Sequence, residues 1–185
     1  MAALEPAASA DSLKPDRDAV RGLHAEGPGD LAPAGAGPGL YLHVPFCATR
    51  WAYCDSPTGG VSRDAMERYL DGIEREIALR APSAAGVRFR SVFLGGGTPS
   101  ALASRQFRRV WAALRSHLES EAEAEITIEA NPESVRGTLL DTWRDAGINR
   151  LSIGAQSFVP EELATLGRIH DRERIGAAVG LARAA

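Results

Sequence analysis

Four short apolar segments, each followed by a segment with helical spacing, constrain the fold of this 185-residue chain more than any other feature. The apolar segments are 40–44, 87–94, 125–130 and 150–155, and the helical spacing resumes near residues 62, 104, 139 and 161, with a last such segment from residue 172 onwards. Short, near-continuous apolar strands that alternate with helices are typical of a parallel sheet covered by helices. Right-handed crossovers between such strands predict an α/β fold, either a doubly wound sheet or a barrel.

Polar and glycine residues follow each of the four predicted strands. They are a loop with two cysteines, the glycine-rich run 95–99, the segment 129–132, and Gln156 with Ser157. Taken singly, each has a structural explanation: the glycines a turn, Glu129 a solvated strand end, Gln156 a tie between loops, and Arg168 further on a complement to a helix dipole. Parallel α/β folds bind ligands at the carboxyl ends of their strands, so the convergence of these residues predicts a ligand site at that edge.

Cys47 and Cys54 are the only cysteines of the chain, and both lie in the loop after the first strand. Cysteines placed just past a strand end can share one metal ion or cluster. The N-terminus has no basic start followed by an apolar stretch, which predicts a cytoplasmic location where thiols stay reduced. Ligation or inert thiols are therefore favoured over a disulfide, which the short loop between the two cysteines still permits.

The composition excludes several classes of function. The net charge of −3 without a basic stripe gives no electrostatic case for nucleic-acid binding. No apolar run approaches the roughly 20 residues that span a bilayer. The glycine run lacks both the Lys-Ser/Thr of a P-loop and the spacing of a dinucleotide fingerprint. Residues 1–39 are rich in Ala, Gly and Pro, which predicts a disordered tail ahead of a domain over 40–185.

Five motifs occur together in the order and spacing of a known family. They are Tyr-Leu-His-Val-Pro-Phe-Cys from residue 41, Gly-Gly-Gly-Thr-Pro-Ser from 95, Glu-Ala-Asn-Pro from 129, Asn-Arg-Leu-Ser-Ile-Gly-Ala-Gln-Ser-Phe from 149 and Leu-Gly-Arg-Ile-His from 166. From Tyr41 onwards the chain resembles the radical S-adenosylmethionine (radical SAM) superfamily, in the branch of the HemW-type heme chaperones and the oxygen-independent coproporphyrinogen oxidases. The Gly-Arg-x-His element and Asp55, directly after the second cysteine, favour the HemW-type.

The resemblance implies a partial (β/α)6 barrel with a parallel sheet. In this family three cysteines of a C-x3-C-x2-C loop hold a 4Fe–4S cluster, which binds the amino and carboxylate groups of SAM. By resemblance, Cys47 and Cys54 match the first and third cluster ligands. The positions that match SAM contacts are Tyr41, Tyr53 (through its backbone), Gly96, Gly97, Thr98, Glu129, Gln156 and Arg168.

Two departures from the family pattern bear on function. Trp51 stands at the middle ligand position, and its indole offers iron no lone pair. The chain has no further cysteine, and His43 would have to leave its strand to substitute, so we expect a cluster site that lacks one ligand. The family barrel has six strands and a further domain, whereas the pattern here covers about four β/α units, so we expect a truncated, N-terminal part of that barrel.

The matches and departures together predict a HemW-like heme chaperone that binds an iron–sulfur cluster and SAM but is impaired by the missing ligand and the truncation. One alternative is an enzyme like the oxygen-independent coproporphyrinogen III oxidases, or dehydrogenases. Another is a cluster-less fragment or SAM-binding scaffold, and a third is a plain interaction module without a SAM site. The expected small-molecule partners are SAM and heme or a porphyrinogen, and the expected protein partners are heme acceptors.

Anaerobic iron–sulfur reconstitution of the purified chain should therefore give no stable 4Fe–4S absorption spectrum, because two thiolates cannot complete a three-cysteine site. The substitution Trp51→Cys should restore cluster binding at least partly, which the same spectrum measures. If Trp51→Cys restores nothing, truncation is the limiting defect. A reductively bleachable cluster with stoichiometric SAM cleavage in the unmodified chain would contradict the expectation.

Overall fold

The computed structural model describes residues 37–47, 54 and 56–185. Its elements are β1 (Gly39–Val44), β2 (Phe46–Cys47), β3 (Gly59–Gly60), α1 (Arg63–Arg80), β4 (Arg88–Gly96), α2 (Ser104–His117), β5 (Glu119–Ala130), α3 (Gly137–Asp145), β6 (Arg150–Ile153), α4 (Pro160–Thr165) and α5 (Arg172–Ala184). Short 3-10 turns cover Ala81–Ala84, Pro99–Ala101 and Pro132–Ser134. Most of the tail predicted over 1–39 falls outside the described residues.

The order of the strands decides between the two predicted topologies. The main sheet has the order β1-β4-β5-β6, and each of these neighbouring pairs is parallel. In a doubly wound sheet the order of the strands reverses at a switch point, whereas in the wall of a barrel the strands neighbour one another in chain order. The α/β, partial-barrel prediction is therefore confirmed. The short strands β2 and β3 form a separate parallel pair.

The two faces of the sheet differ in chemistry because successive side chains of a strand point to opposite faces. One face packs into the main core, to which it contributes Leu42, Val44, Val92, Leu94, Ile126 and Ile128. The helices contribute Leu70, Phe107, Val110 and Trp143 to the same core. The alternate positions of the strands carry mainly polar and aromatic side chains, including Tyr41, Phe93, Glu125, Glu129 and Arg150. The face opposite the core is thus available for chemistry.

Helices α1 and α2 are also joined by charge. Arg109 of α2 donates to both carboxylate oxygens of Glu74, at 2.6 and 2.7 Å, and to Asp71 and Glu67. The hydrogen bond from Arg109 lowers the pKa of Asp71, and the hydrogen bonds to Glu74 and Asp71 raise the pKa of Arg109.

Within the part of the chain described, no helix is both long and apolar enough to cross a membrane.

Strand β5 begins earlier than its sequence predicts, at Glu119 rather than near Glu125. The added residues read Glu-Ser-Glu-Ala-Glu-Ala and bury little, so they carry no apolar signal. Glu119 and Ser120 pair with Arg88 and Phe89 at the start of β4, and the register then shifts before pairing resumes at Glu125. Ion pairs accompany this start, since Arg88 lies 3.3 Å from Glu119 and Arg90 lies 4.0 Å from Glu121. The strand is extended by its neighbour, which local sequence cannot reveal. The other predicted strand ends in the main sheet agree within two residues.

Helix α3 ends in a turn that needs glycine. Gly147 has φ 86° and its N–H donates to the Arg144 carbonyl at 2.9 Å. The N–H of Ile148 donates to the Trp143 carbonyl at 2.9 Å, which completes a Schellman motif. A left-handed residue at this position directs the chain from α3 into β6.

Gly147→Ala and Gly176→Ala should change the free energy of unfolding in opposite directions. A Cβ at either position meets no atom within 4 Å, so only backbone conformation differs. At position 147 the left-handed φ should make alanine destabilising by about 1 kcal/mol. At position 176, inside α5, alanine should stabilise by roughly 0.8 kcal/mol. Urea unfolding of both variants tests this, and shifts of the same sign would contradict it.

Candidate ligand site at the strand ends

A cavity of about 290 Å³ lies at the carboxyl ends of the main-sheet strands. Its lining includes eight residues that the sequence singles out, namely Cys47, Cys54, Gly96, Gly97, Thr98, Glu129, Gln156 and Arg168. The remaining lining residues are Ala130, Asn131, Ser152 and Gly154. The structure thus brings residues from all four strand ends to one cavity. The volume of this cavity is close to the lower limit of the roughly 300–1,000 Å³ that is common for ligand pockets.

The glycine-rich end of β4 lets backbone approach this cavity closely. Gly96 has φ 118°, and its N–H donates to Glu129 Oε2 at 3.1 Å. A Cβ on Gly96 would lie 2.7 Å from the ring of His43, and one on Gly97 would lie 2.7 Å from the Phe46 carbonyl oxygen. Side chains at these two positions would force the strand end and the cysteine loop apart, so glycine keeps the lining intact.

A chain of polar contacts crosses the strand ends. Cys47 is buried, and its Sγ lies 3.5 Å from Thr98 Oγ1. The amide of Asn131 donates to the same Thr98 oxygen at 3.5 Å, while Asn131 Oδ1 accepts from Arg168 Nη2 at 2.9 Å. Arg168 Nη2 also donates to the Gly154 carbonyl at 2.7 Å. The ends of β4, β5 and β6 are therefore tied together beside the cysteine loop.

Gln156 has an unusual backbone. Its φ of 65° is the one left-handed value among non-glycine residues in the described part of the chain. A Cβ on the neighbouring Gly154 would lie 3.1 Å from Gln156 Nε2 and 3.4 Å from Arg168 Nη2, so polar side chains converge over that glycine. Residues held in such conformations cluster at ligand sites, where surrounding contacts hold them in place.

Tyr41 and His43 lie beside the cavity rather than in its lining. The hydroxyl of Tyr41 lies 3.1 Å from His43 Nδ1, and its ring stacks on Phe93 with centroids 6.0 Å apart. Burial and the negative charge of Glu129 raise the pKa of Tyr41. His43 Nε2 lies 3.2 Å from the Pro57 carbonyl, so both ring nitrogens face partners within the protein. The predictions for Trp51, Tyr53 and Asp55 concern residues outside those that the structure describes.

Three polar or glycine lining residues carried no individual prediction. Asn131 directly follows β5, Gly154 directly follows β6, and Ser152 lies on β6. Each stands at or next to a strand end, so the position of the strand end was an available signal. Their residue types alone are common in loops and strands, and only the parallel pairing brings them to the same cavity lining as Arg168.

The donor set does not fit a three-cysteine cluster. Cys47 and Cys54 line the same cavity, but the chain has no other cysteine. Among the described residues, no group of three or more His, Cys, Asp or Glu side chains is arranged to hold a metal ion. The site instead offers one carboxylate and one guanidinium among its described lining, with two amides, two hydroxyls and glycine backbone. These groups suit an organic ligand that carries both a cationic amine and a carboxylate.

The comparisons with known proteins agree with this fold. Residues 41–185 match a family model described as the Radical SAM superfamily. A 155-residue stretch is 42% identical to heme chaperone HemW of Mycobacterium tuberculosis, which covers 80% of this chain and 39% of that relative. Heme chaperone HemW of Escherichia coli is 36% identical over 148 residues, covering 77% of this chain and 38% of the relative.

A solved structure supports the same fold. Coproporphyrinogen III oxidase (HemN) from Escherichia coli superposes with a TM-score of 0.74 at 37% identity, over 80% of this chain and 34% of that chain. The sequence of this chain thus spans less than two fifths of the length of each of these relatives.

Proposed function

The chain belongs to the radical SAM superfamily, and on that premise we propose that it binds S-adenosylmethionine in the strand-end cavity as a HemW-like protein of heme metabolism. One observation carries the proposal. Of the eight positions expected to contact SAM, six line a single cavity, namely Gly96, Gly97, Thr98, Glu129, Gln156 and Arg168. These residues come from three different strand ends and from the linker between α4 and α5, so their meeting is a property of the fold rather than of one motif.

The chemistry of the lining matches the chemistry of SAM. Glu129 supplies a carboxylate for the cationic end of the ligand, and Arg168 supplies a guanidinium for its carboxylate. The backbone at Gly96 and Gly97 supplies polar groups without intervening side chains. Gln156 and Asn131 are amides that can both donate to and accept from ligand hydroxyl groups. Glu129 lies near the end of β5 and Arg168 in the linker between α4 and α5, and both line the cavity, so it offers both charges to a zwitterionic ligand.

The cluster is a separate matter. In radical SAM proteins generally, a 4Fe–4S cluster supplies the electron that cleaves SAM. Here Cys47 and Cys54 would be the thiolate ligands, and the middle ligand position is Trp51, whose N–H can only donate. We therefore propose SAM binding by this chain without the reductive chemistry that a complete cluster supplies.

The solved coproporphyrinogen III oxidase structure favours one alternative, an oxidase-like activity on a porphyrinogen. The HemW-like assignment predicts heme binding, and passage of heme to acceptor proteins, without porphyrin turnover. Heme titration followed at the Soret band, together with porphyrin fluorescence, separates the two. Heme binding without a new porphyrin product supports the HemW-like proposal, and product formation supports the oxidase.

Isothermal titration calorimetry of the chain with SAM tests the proposed site. Glu129→Gln should weaken SAM binding about 10- to 100-fold, because a hydrogen bond to a charged group is lost. Glu125→Gln is the matched control, since Glu125 lies on the same strand, pairs with Arg150 at 3.2 Å, and does not line the cavity. Its SAM affinity should stay within about twofold of the unmodified chain. Equal losses in both variants, or no binding by the unmodified chain, would contradict the proposal.

A further inference from the structure

The linker between α4 and α5 places two polar side chains inside the protein. Gly167, with φ 71°, ends α4 in a turn that the Arg168 N–H closes on the Leu163 carbonyl at 2.8 Å. The linker then alternates: Arg168 is 8% exposed, Ile169 is 75% exposed and His170 is 6% exposed. An extended segment points alternate side chains to the same side, so Arg168 and His170 both face the strand-end loops.

Arg168 and His170 make parallel bridges between the same two loops. Arg168 Nη2 joins Asn131, which follows β5, to Gly154, which follows β6. Further along the same two loops, His170 Nδ1 lies 3.2 Å from Glu133 Oε2, and His170 Nε2 lies 3.0 Å from the Ala155 carbonyl. The linker therefore joins the loop after β5 to the loop after β6 at two successive points, the Arg168 bridge and the His170 bridge.

The geometry of His170 indicates a specific task. Its side chain is fully buried, and both ring nitrogens face oxygen acceptors, a carboxylate and a carbonyl. A ring nitrogen that carries a proton can donate to the oxygen that it faces, so the imidazole can join the two loops. His170 does not line the strand-end cavity, whereas Arg168 does. Any effect of His170 on a ligand in that cavity must pass through the loops that it holds.

We propose that His170 is a positioning residue for the strand-end cavity: by joining Glu133 to Ala155 it holds the 154–156 loop in the conformation that lets Gly154 and Gln156 line the site. Gln156 directly follows the residue that His170 bonds, and its left-handed backbone needs external contacts to persist. The ligand in this account, SAM, rests on the proposed function. The His170 bridge itself rests only on the contacts of His170.

Two measurements on the same variants test the role of the His170 bridge. Amide hydrogen exchange of the ligand-free protein reports on the 154–157 loop, and calorimetry reports on SAM affinity. In His170→Ala, exchange at 154–157 should rise about tenfold while α1 and α2 stay unchanged, and SAM affinity should fall about tenfold. Glu133→Ala should give similar changes, because Glu133 anchors the other end of the bridge and lies outside the cavity lining.

Three further variants separate positioning from bulk stability. The double variant of His170 and Glu133 should be no worse than the worse single variant, since both remove one bridge. His170→Gln keeps an N–H that can reach the Ala155 carbonyl and should recover most of the SAM affinity. His117→Ala is the control, because His117 is exposed and its Nδ1 lies within hydrogen-bond distance of Ser116 and the Ala113 carbonyl, both in its own helix; it should change neither readout.

The outcomes are distinct. Any of three outcomes would overturn the proposal. The first is a rise in amide exchange throughout the protein, and the second is a double variant whose effects are the sum of the single ones. The third is a His170→Ala variant that binds SAM as tightly as the unmodified chain, provided that the unmodified chain binds SAM. If the unmodified chain binds no SAM, the proposed function fails, and the exchange pattern alone decides whether the His170 bridge holds the loop. If His170→Ala does not fold, Glu133→Ala carries the test, because the Glu133 side chain is 30% exposed and its loss leaves a smaller void.

Discussion

Parallel pairing of strands in chain order is the constraint on which this protein depends. Val44 lies opposite Gly96 in the β1–β4 pair, and Ala130 lies opposite Ile153 in the β5–β6 pair. The strands therefore end at the same edge, and the residues after them must share that space. This arrangement brings short motifs that are far apart in the chain to one cavity. The helices pack on one face of the sheet and form with it the core that holds the strands in place.

Sequence patterns could predict the parts of this fold that rest on local chemistry. Apolar strands and helical spacing indicated the α/β class, and the motifs around Glu129, Gln156 and Arg168 indicated residues that do line the cavity. The early start of β5 could not be predicted, because it depends on pairing with β4 rather than on its own side chains. The bridge from His170 to Glu133 was equally hidden, since it joins residues 37 positions apart through loops of ordinary composition.

Binding and redox chemistry make separate demands on this fold. A SAM site needs glycines at a strand end, a carboxylate and a guanidinium, all of which meet at the cavity. A three-cysteine cluster needs a third thiolate, for which the chain has no residue. The cavity is assembled by the sheet and by the contacts among Thr98, Asn131 and Arg168, and none of these contacts requires iron. The account therefore predicts that ligand recognition survives where cluster chemistry does not.

Amide chemical-shift mapping of the iron-free chain during titration with SAM tests this claim most directly. The account predicts saturable shifts at the amides of Gly96, Gly97 and Gln156, while residues on the far side of α1 and α2 stay in place. Shifts that appear only after iron and sulfide have been incorporated would contradict it, because SAM recognition would then depend on the cluster rather than on the strand ends.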